Sequence, residues 1–191
     1  SDEQRHALTV SQRATGKLED MIEDLIMFSL ASRGEMSMKL ESVDIRRVIS
    51  LVTKTATRKA DDRGVKLEVF TRDDMPFVQA DGEKISWVVG QLIDNGIKFT
   101  PSGGTVTVAL EEDGRNLVQV IVRDSGVGIP QDRMTEIFEP FHQLDGSSTR
   151  RYGGTGLGLS LVRQIVEAHG SLLDVKSAEG KGTTFKFPLL A

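Results

Sequence analysis

The sequence predicts an α+β protein: a two-layer α/β sandwich with a mixed sheet covered by helices, preceded by a long N-terminal helix. Some segments repeat apolar residues every three or four positions, as helices do, and others alternate apolar and polar residues, as strands do. The two kinds are interleaved from residue 37 onward, whereas residues 1–33 contain no proline and no strand-like run. We therefore expect a helical segment over residues 1–36 and one main domain over residues 37–191.

Composition limits the classes of function. The 191 residues are 38% hydrophobic and 27% charged, enough to bury one substantial core. A net charge of −4 without a long basic tract argues against nucleic acid as a partner. The absence of cysteine excludes disulfides, thiolate catalysis and cysteine-ligated zinc. No apolar run approaches the roughly 18 residues that span a bilayer. We expect a cytoplasmic fragment, in which a membrane anchor of a longer parent chain would not be visible.

The N-terminal helix is predicted from about Asp2 to Arg33. A helix of this length cannot bury its apolar stripe alone. The stripe could pack against its own domain, or against a partner helix in a hairpin or coiled-coil dimer. We favour the partner helix. The stripe consists of Leu18, Met21, Ile22, Leu25, Phe28 and Ser29.

Helices and strands follow in turn. A short strand is predicted within MSMKLESVDI, and Asp44 is placed to cap the helix that comes next. A second helix contains ISWVVGQLIDNGIKF and ends before Pro101. The first helix runs from Ile45 to about Asp62, and the strands between the two helices are Val65–Thr71 and Phe77–Ala80.

The second half contains a hairpin, a polar segment and a last helix. Strands at Thr105–Glu112 and Leu117–Asp124 flank an Asp-Gly turn. The weakly patterned stretch Gln131–Tyr152 contains a short helical piece, and its length suggests a lid. The helix Leu157–His169 ends with His169 as a last-turn cation and with Gly170. Two strands, Leu172–Lys176 and Thr183–Leu189, complete the chain.

Gln91, Asn95 and Lys98 recur at steps of four and three, so they share one face of their helix. A solvated face is one interpretation of such a stripe. A carboxamide oxygen is also a hard ligand for Mg²⁺, which usually binds phosphate oxygens as well. A lysine one turn further on can reach those phosphates. Together with the motifs downstream, the stripe indicates half of a nucleotide site.

Two glycine-containing motifs supply the other half. Asp124 ends a buried strand, and its carboxylate can accept a hydrogen bond from the amine of adenine but not from the carbonyl of guanine. Gly126 and Gly128 let the backbone approach a flat base; alternatively, DSGVG is a surface turn. GGTGLG precedes a helix, whose free N–H groups can seat phosphate. It matches neither the dinucleotide fingerprint nor a Walker A loop.

The order of the motifs is more specific than any one of them. Asn95 with Lys98, then DSGVGIP, FEPFHQ, GGTGLGLSL and GTTF closely resemble the N, G1, F, G2 and G3 boxes of sensor histidine kinases. The resemblance covers about Val43 to Leu189. LEDMIEDLIMFSLASRG is similar to the second helix of that family's dimerisation and phosphotransfer hairpin. The resemblance thus assigns residues 1–36 to that hairpin and residues 37–191 to the catalytic domain.

The resemblance implies a Bergerat ATP-binding fold that takes ATP and Mg²⁺. In it Asn95 binds the metal, Lys98 approaches the phosphates, and Gln91 lies beside them as the third catalytic residue. Asp124 reads the adenine amine, Thr184 faces the base, and Phe138 and Phe141 anchor the lid. The remaining implied nucleotide-binding residues are Phe99, Gly126, Gly128, Ile129, Arg150, Arg151, Gly154, Thr155, Gly156, Leu157 and Gly158.

The chain departs from the family pattern at three places. Gln91 stands where members often have asparagine, and Gln143 where many have arginine, so Arg150 or Arg151 is expected to meet the phosphates. No H-E/D-x-R-T-P-like motif surrounds any of the three histidines, so the phospho-acceptor is expected to lie outside this chain.

The family's activity is implied for the intact protein. It moves the γ-phosphoryl of ATP to its own histidine and then to an aspartate of a response-regulator receiver domain, and it works as a homodimer. One alternative is an ATPase of the same fold, although those enzymes use a glutamate base where this chain has Gln91, and an amide cannot accept a proton from water. A second alternative is a nucleotide-binding or dimerising module without catalysis.

Overall fold

The computed structural model describes residues 2–142 and 155–191. Within them it confirms the predicted α+β architecture with a long first helix. The helices are α1 (Asp2–Ser32), α2 (Ile45–Asp61), α3 (Gly82–Phe99) and α4 (Gly158–Ala168). The strands are β1 (Glu41–Val43), β2 (Lys66–Phe70), β3 (Val78–Ala80), β4 (Thr105–Glu112), β5 (Leu117–Asp124), β6 (Asp174–Ser177) and β7 (Thr183–Leu190). The helical piece predicted near Arg133 is a pair of short 3₁₀ turns, Gln131–Arg133 and Glu136–Phe138.

Five strands form a mixed sheet in the order β2-β4-β5-β7-β6. The pair β2–β4 is parallel and the other three pairs are antiparallel. Residues alternate along β4, β5 and β7 between fully buried and partly exposed, so the described helices cover one face of the sheet. Val108, Val120 and Phe187 on the covered face join α2, α3 and α4 in one hydrophobic core. The mixed sheet covered by helices is therefore confirmed.

A second, two-stranded sheet was not predicted. β1 pairs antiparallel with β3, and Glu41 lies opposite Ala80. Each strand has only three residues, too few for an alternating pattern to reveal the pairing. The small sheet brings the segment after α1 next to the start of α3.

The helix ends follow capping chemistry. The prediction that Asp44 caps α2 is confirmed, because its carboxylate accepts the backbone N–H of Arg46 at 3.1 Å. Asp81 caps α3 in the same way through the N–H of Lys84, also at 3.1 Å. Gly170 follows α4 with a positive φ of 73°, as its prediction as a terminating glycine requires. His169 is not the expected last-turn cation, because its Nε2 accepts a hydrogen bond from the N–H of Asp81.

The first helix keeps most of its apolar stripe uncovered. Leu18 is 58% exposed, and Ile22 and Leu25 are each 49% exposed. Within the part of the chain that the structure describes, the end of α1 meets the main domain, where the rings of Phe28 and Phe141 lie edge to face with centroids 6.0 Å apart. Packing on its own domain therefore accounts for the end of this helix and leaves the stripe without a cover among the described residues. No helix in residues 2–142 or 155–191 is both long and apolar enough to cross a membrane.

Candidate functional site

The helix α3 presents a buried face and a polar face. Its apolar face, which includes Val88 and Leu92, lies in the core, while Gln91, Asn95 and Lys98 are half-buried on the other side. Gly96 lets the helix approach the sheet, since a Cβ there would lie 3.5 Å from the Cβ of Asp124. The helix that carries Gln91, Asn95 and Lys98 therefore lies close to the aspartate that ends β5.

Lys98 carries a positive charge in cationic surroundings. Partial burial lowers the pKa of its ammonium group, and the nearby cations of Arg63 and Lys59 lower it further. Its Nζ lies 4.9 Å from the centre of the Phe99 ring, and no carboxylate of a described residue pairs with it. A cation in this environment is stabilised by an incoming anion. Lys98 is accordingly a candidate phosphate ligand.

The N-terminus of α4 lies beside the polar face of α3. A Cβ at Gly158, the first residue of α4, would be 3.0 Å from Oε1 of Gln91. The amide of Leu157 donates to Oγ1 of Thr155 at 3.2 Å, while the amides of the first helical turn lack partners within the helix. The side chain of Leu157 is buried in the interior, so this residue can meet a ligand only through its backbone. Free amides at a helix start form a favourable phosphate seat.

The segment before α4 folds back on the residues that follow the 3₁₀ turns. The N–H of Phe141 donates to the carbonyl oxygen of Gly156 at 3.0 Å. Thr155 Oγ1 lies 3.5 Å from a carboxylate oxygen of Asp24 on α1. The predicted lid anchors differ in burial: Phe138 lies under the guanidinium of Arg163 at 5.0 Å, whereas Phe141 is 63% exposed. The rest of the predicted lid, with Arg150, Arg151 and Gly154, lies outside the described residues.

Asp124 is a buried carboxylate with one engaged oxygen. The residue is 8% exposed, and its Oδ1 accepts the N–H groups of Gly126 at 2.8 Å and of Thr183 at 3.2 Å. Burial raises the pKa of this carboxyl, and the two backbone hydrogen bonds oppose that rise. No donor from a described residue reaches Oδ2. The second oxygen is thus available to accept a hydrogen bond from a ligand.

Two glycines allow the loop after β5 to fit its neighbours. A Cβ at Gly126 would be 2.5 Å from the carbonyl oxygen of Phe99, and that oxygen accepts the N–H of Val127 at 3.2 Å. Gly128 has a φ of 68°, and a Cβ there would be 2.0 Å from the carbonyl oxygen of Ala178. The loop is thereby held between the end of α3 and the turn before β7.

Thr184, predicted to face the base, lies on the face of β7 opposite to the one that carries Asp124. Thr184 pairs with Arg123 across β5 and β7, and both residues point away from the face that carries Asp124. Thr183 lies on the same side as Asp124, because its N–H donates to Asp124 Oδ1 and its side chain is buried. Strand alternation counted back from the apolar Phe185 would have identified it.

Sequence reasoning also missed Ser177. Its hydroxyl accepts the N–H of Ile129 at 2.8 Å and donates to the carbonyl oxygen of Gly182 at 2.9 Å. It therefore joins β6 to the loop that holds Asp124. A serine in a short, mostly exposed strand gives no sequence signal for such a role.

The donor set restricts which metal could bind. Among residues 2–142 and 155–191, no three His, Asp or Glu side chains are clustered so as to hold an ion. The carboxamide of Asn95 makes no hydrogen bond with a described residue, and an amide oxygen is a ligand for hard cations. The residues present therefore fit a cation that takes most of its ligands from a bound phosphate and from water.

Comparisons with known proteins give a consistent result. A family model described as "histidine kinase-, DNA gyrase B-, and HSP90-like ATPase" matches residues 80–191. Sensor histidine kinase WalK of Bacillus subtilis is 32% identical over 95% of this chain, which spans 30% of that protein's length. The structure of full-length ShkA in complex with AMPPNP matches 99% of this chain and 39% of its own, with a TM-score of 0.85 at 25% identity.

A further structural match is to histidine kinase ThkA in complex with response regulator protein TrrA. The TM-score is 0.72 over 96% of this chain and 50% of that one. Because the sequence identity is only 22%, this match shows a shared fold and nothing more.

Proposed function

We propose that this chain, which belongs to the histidine kinase-, DNA gyrase B- and HSP90-like ATPase family, contains the catalytic ATP-binding domain of a sensor histidine kinase. Residues 37–191 form the catalytic domain, and residues 1–36 form the second helix of a dimerisation and phosphotransfer hairpin. The domain binds Mg-ATP and transfers the γ-phosphoryl group to a histidine of the parent protein. The phosphoryl group then passes to an aspartate of a response-regulator receiver domain.

The observation that carries the proposal is the carboxylate of Asp124. Two backbone amides fix Oδ1, so Oδ2 is held in one place within a buried environment. The exocyclic amine of adenine donates to that oxygen, whereas the carbonyl of guanine would place a second acceptor against it. Discrimination of this kind is strong because a mismatched base leaves a buried polar group without a partner.

The phosphates lie between α3 and α4 in this proposal. Lys98 provides a cation without a carboxylate partner among the described residues, and the first turn of α4 provides backbone amides. Gln91 lies at the contact between the two helices and can orient a phosphate oxygen or water. The family resemblance assigns the remaining positive charge to Arg150 or Arg151 and a phosphate-side role to Gly154 and Gly156.

Asn95 is the residue that would hold Mg²⁺ beside the phosphates of a bound nucleotide. When bound, the metal neutralises phosphate charge and fixes the phosphate geometry. The protein residues position the γ-phosphorus for in-line attack by a neutral imidazole nitrogen, and ADP leaves with the electron pair of the broken P–O bond. Catalysis thus depends mainly on positioning and on charge neutralisation. An amide at Gln91 provides no base to activate water, which disfavours ATP hydrolysis.

The acceptor histidine is none of the three in this chain. Both ring nitrogens of His169 are hydrogen-bonded, and Nε2 of His142 lies 3.2 Å from the carboxylate of Glu136. His6 has no acceptor motif around it. The acceptor is therefore supplied by the other helix of the hairpin, and the exposed stripe of α1 packs against that helix in a homodimer.

Phosphoryl transfer from labelled ATP tests the proposal. The chain is incubated with γ-labelled ATP and Mg²⁺, first alone and then with a separately supplied histidine-bearing hairpin. We expect nucleotide binding in both cases and acid-labile label only on the supplied hairpin. Label on the chain itself would contradict the assignment of its histidines. Rapid phosphate release would favour the ATPase, and binding without transfer would favour a non-catalytic module.

A further inference from the structure

His169 joins the end of α4 to the start of α3. Its Nδ1 lies 2.8 Å from the carbonyl oxygen of Ile165 in its own helix, and its Nε2 lies 3.0 Å from the backbone nitrogen of Asp81. A backbone N–H can only donate, so Nε2 is the acceptor and the ring proton resides on Nδ1. The two hydrogen bonds together select one neutral tautomer of the imidazole.

Asp81 extends this contact to a third segment. Asp81 is 4% exposed, and its carboxylate caps α3 by accepting the N–H of Lys84 at 3.1 Å. It also accepts the ammonium of Lys84 at 2.7 Å and the backbone N–H of Lys39 at 3.1 Å. Lys39 lies in the segment between α1 and β1. We call this set of contacts, made by Lys39, Asp81, Lys84 and His169, the Asp81–His169 junction.

The junction lies at the opposite end of the α3–α4 contact from the phosphate site. Asp81 precedes α3 and His169 follows α4, whereas Gln91, in the middle of α3, lies beside Gly158 at the start of α4. The two helices therefore run antiparallel, and the helical rise of 1.5 Å per residue places the junction about 15 Å from the Gln91–Gly158 contact. Because helices are stiff over this length, a change of their spacing at the junction is transmitted to the phosphate site.

We propose that His169 is a positioning residue for the nucleotide site. Its Nε2 holds α4 against α3, so the amides of Gly158 and its neighbours lie at a fixed distance from Gln91 and Asn95. The inference rests on the proposed function, because it assumes that phosphate binds between these helices. No atom of His169 reaches the phosphate site itself. Its effect therefore depends on the acceptor at Nε2 and not on the size of the ring.

Two substitutions of His169 distinguish the effect of the hydrogen-bond acceptor at Nε2 from the effect of the ring's size. His169→Phe keeps the ring volume and leaves the N–H of Asp81 without its partner. His169→Gln places an amide oxygen at about the reach of Nε2 and can accept that N–H. Changes that act through such couplings alter affinity by about 2- to 30-fold, and we expect this loss of Mg-ATP-analogue binding for the phenylalanine variant. The glutamine variant should recover most of the affinity.

A matched control distinguishes positioning from general loss of stability. Val65→Ala removes buried apolar atoms between α2 and β2, away from the α3–α4 contact. Affinity for a non-hydrolysable ATP analogue is measured by calorimetry for all variants, beside their melting temperatures. If His169→Phe loses no more affinity than Val65→Ala at an equal loss of melting temperature, the inference is overturned. A glutamine variant as weak as the phenylalanine variant also overturns it.

The tautomer gives a second test that needs no variant. Long-range ¹H–¹⁵N correlation spectra of the 191-residue chain report which ring nitrogen carries the proton. We expect protonation at Nδ1 of His169, and a proton on Nε2 would sink the inference. Failure of the wild-type chain to bind nucleotide would instead refute the proposed function. Normal binding by His169→Phe would refute only the positioning role.

Discussion

The substitution Asp124→Asn changes what the site can read while leaving the fold almost unchanged. Asparagine keeps an oxygen at Oδ1, so the N–H groups of Gly126 and Thr183 retain their acceptor. It replaces Oδ2 with an NH₂ group that donates. A donor at this position faces the amine of adenine unfavourably, but it matches the carbonyl that inosine carries at the same ring position.

The expected loss of ATP affinity follows from the kind of hydrogen bond that the variant lacks. A hydrogen bond to a charged group contributes about 1.5 to 3 kcal/mol, which corresponds to an ATP affinity about 10- to 150-fold weaker in the variant. ITP should bind the variant better than it binds the wild type. Since burial raises the pKa of the Asp124 carboxyl, the charged form is disfavoured in the folded protein. Removing it should therefore not lower the melting temperature at neutral pH.

Calorimetric titration with Mg²⁺ and non-hydrolysable analogues of ATP and ITP measures both affinities. Asp113→Asn is the matched control, because Asp113 is exposed in the β4–β5 turn and its loss removes the same charge far from the site. A folded Asp124→Asn variant with an unchanged ratio of ATP to ITP affinity would refute the adenine-reading role. So would an equal change of that ratio in the control.

Three further predictions concern Lys98, Gly126 and Leu25. Lys98→Gln should weaken Mg-ATP binding, measured by calorimetry, by about 1.5 to 3 kcal/mol. It should not lower the melting temperature, because burial and two nearby cations depress the pKa of the ammonium group that is lost. Unchanged affinity would exclude a contact between Lys98 and the phosphates. Gly126→Ala should cost about 1 to 3 kcal/mol in denaturant unfolding because its Cβ would meet Phe99, whereas Gly16→Ala, with open space around it, should not destabilise. Leu25→Asp should leave the melting temperature unchanged, because Leu25 is half exposed. It should reduce association with a supplied hairpin helix, measured by sedimentation. Association as strong as that of the wild type would argue against the stripe of α1 as the interface with that helix.

The acid dependence of stability adds a check on Asp124. A carboxyl whose pKa is raised on folding binds its proton more tightly in the folded state, so its contribution to stability falls as pH rises through that pKa. The melting-temperature difference between Asp124→Asn and the wild type should therefore favour the variant at neutral pH and shrink on acidification towards the ordinary aspartate pKa. Melting curves over this range measure it, and a difference that does not change with pH would contradict the burial of a charged form.

The sequence predicts the parts of this molecule that depend on local patterns. Period and capping identify α2 and its Asp44 cap, and the order of the motifs identifies the elements that carry Asn95 and Asp124. A pattern cannot show which helix ends meet. The hydrogen bond from Asp81 to His169 joins residues that are far apart in the sequence, and a lone histidine beside a terminal glycine suggests only a cap.

Local patterns also leave the register of strands open. Thr183 and Thr184 are chemically identical neighbours, so only the face of β7 distinguishes them, and a strand reverses its face at every step. The β1–β3 pair was missed because each strand is too short to show alternation. In both cases the missing information is three-dimensional register, which depends on long-range packing.

The position of β7 within the sheet affects how the protein is made. β7 lies between β5 and β6, with Val120 opposite Phe187 and Val175 opposite Phe185. Synthesis proceeds from the N-terminus, so a ribosome has translated almost the whole domain before this inner strand emerges. Until then the hydrogen-bonding edge of β5 stays open and can pair with another chain. Nascent chains halted before Thr183 should therefore require chaperones, and folding should wait for these last residues.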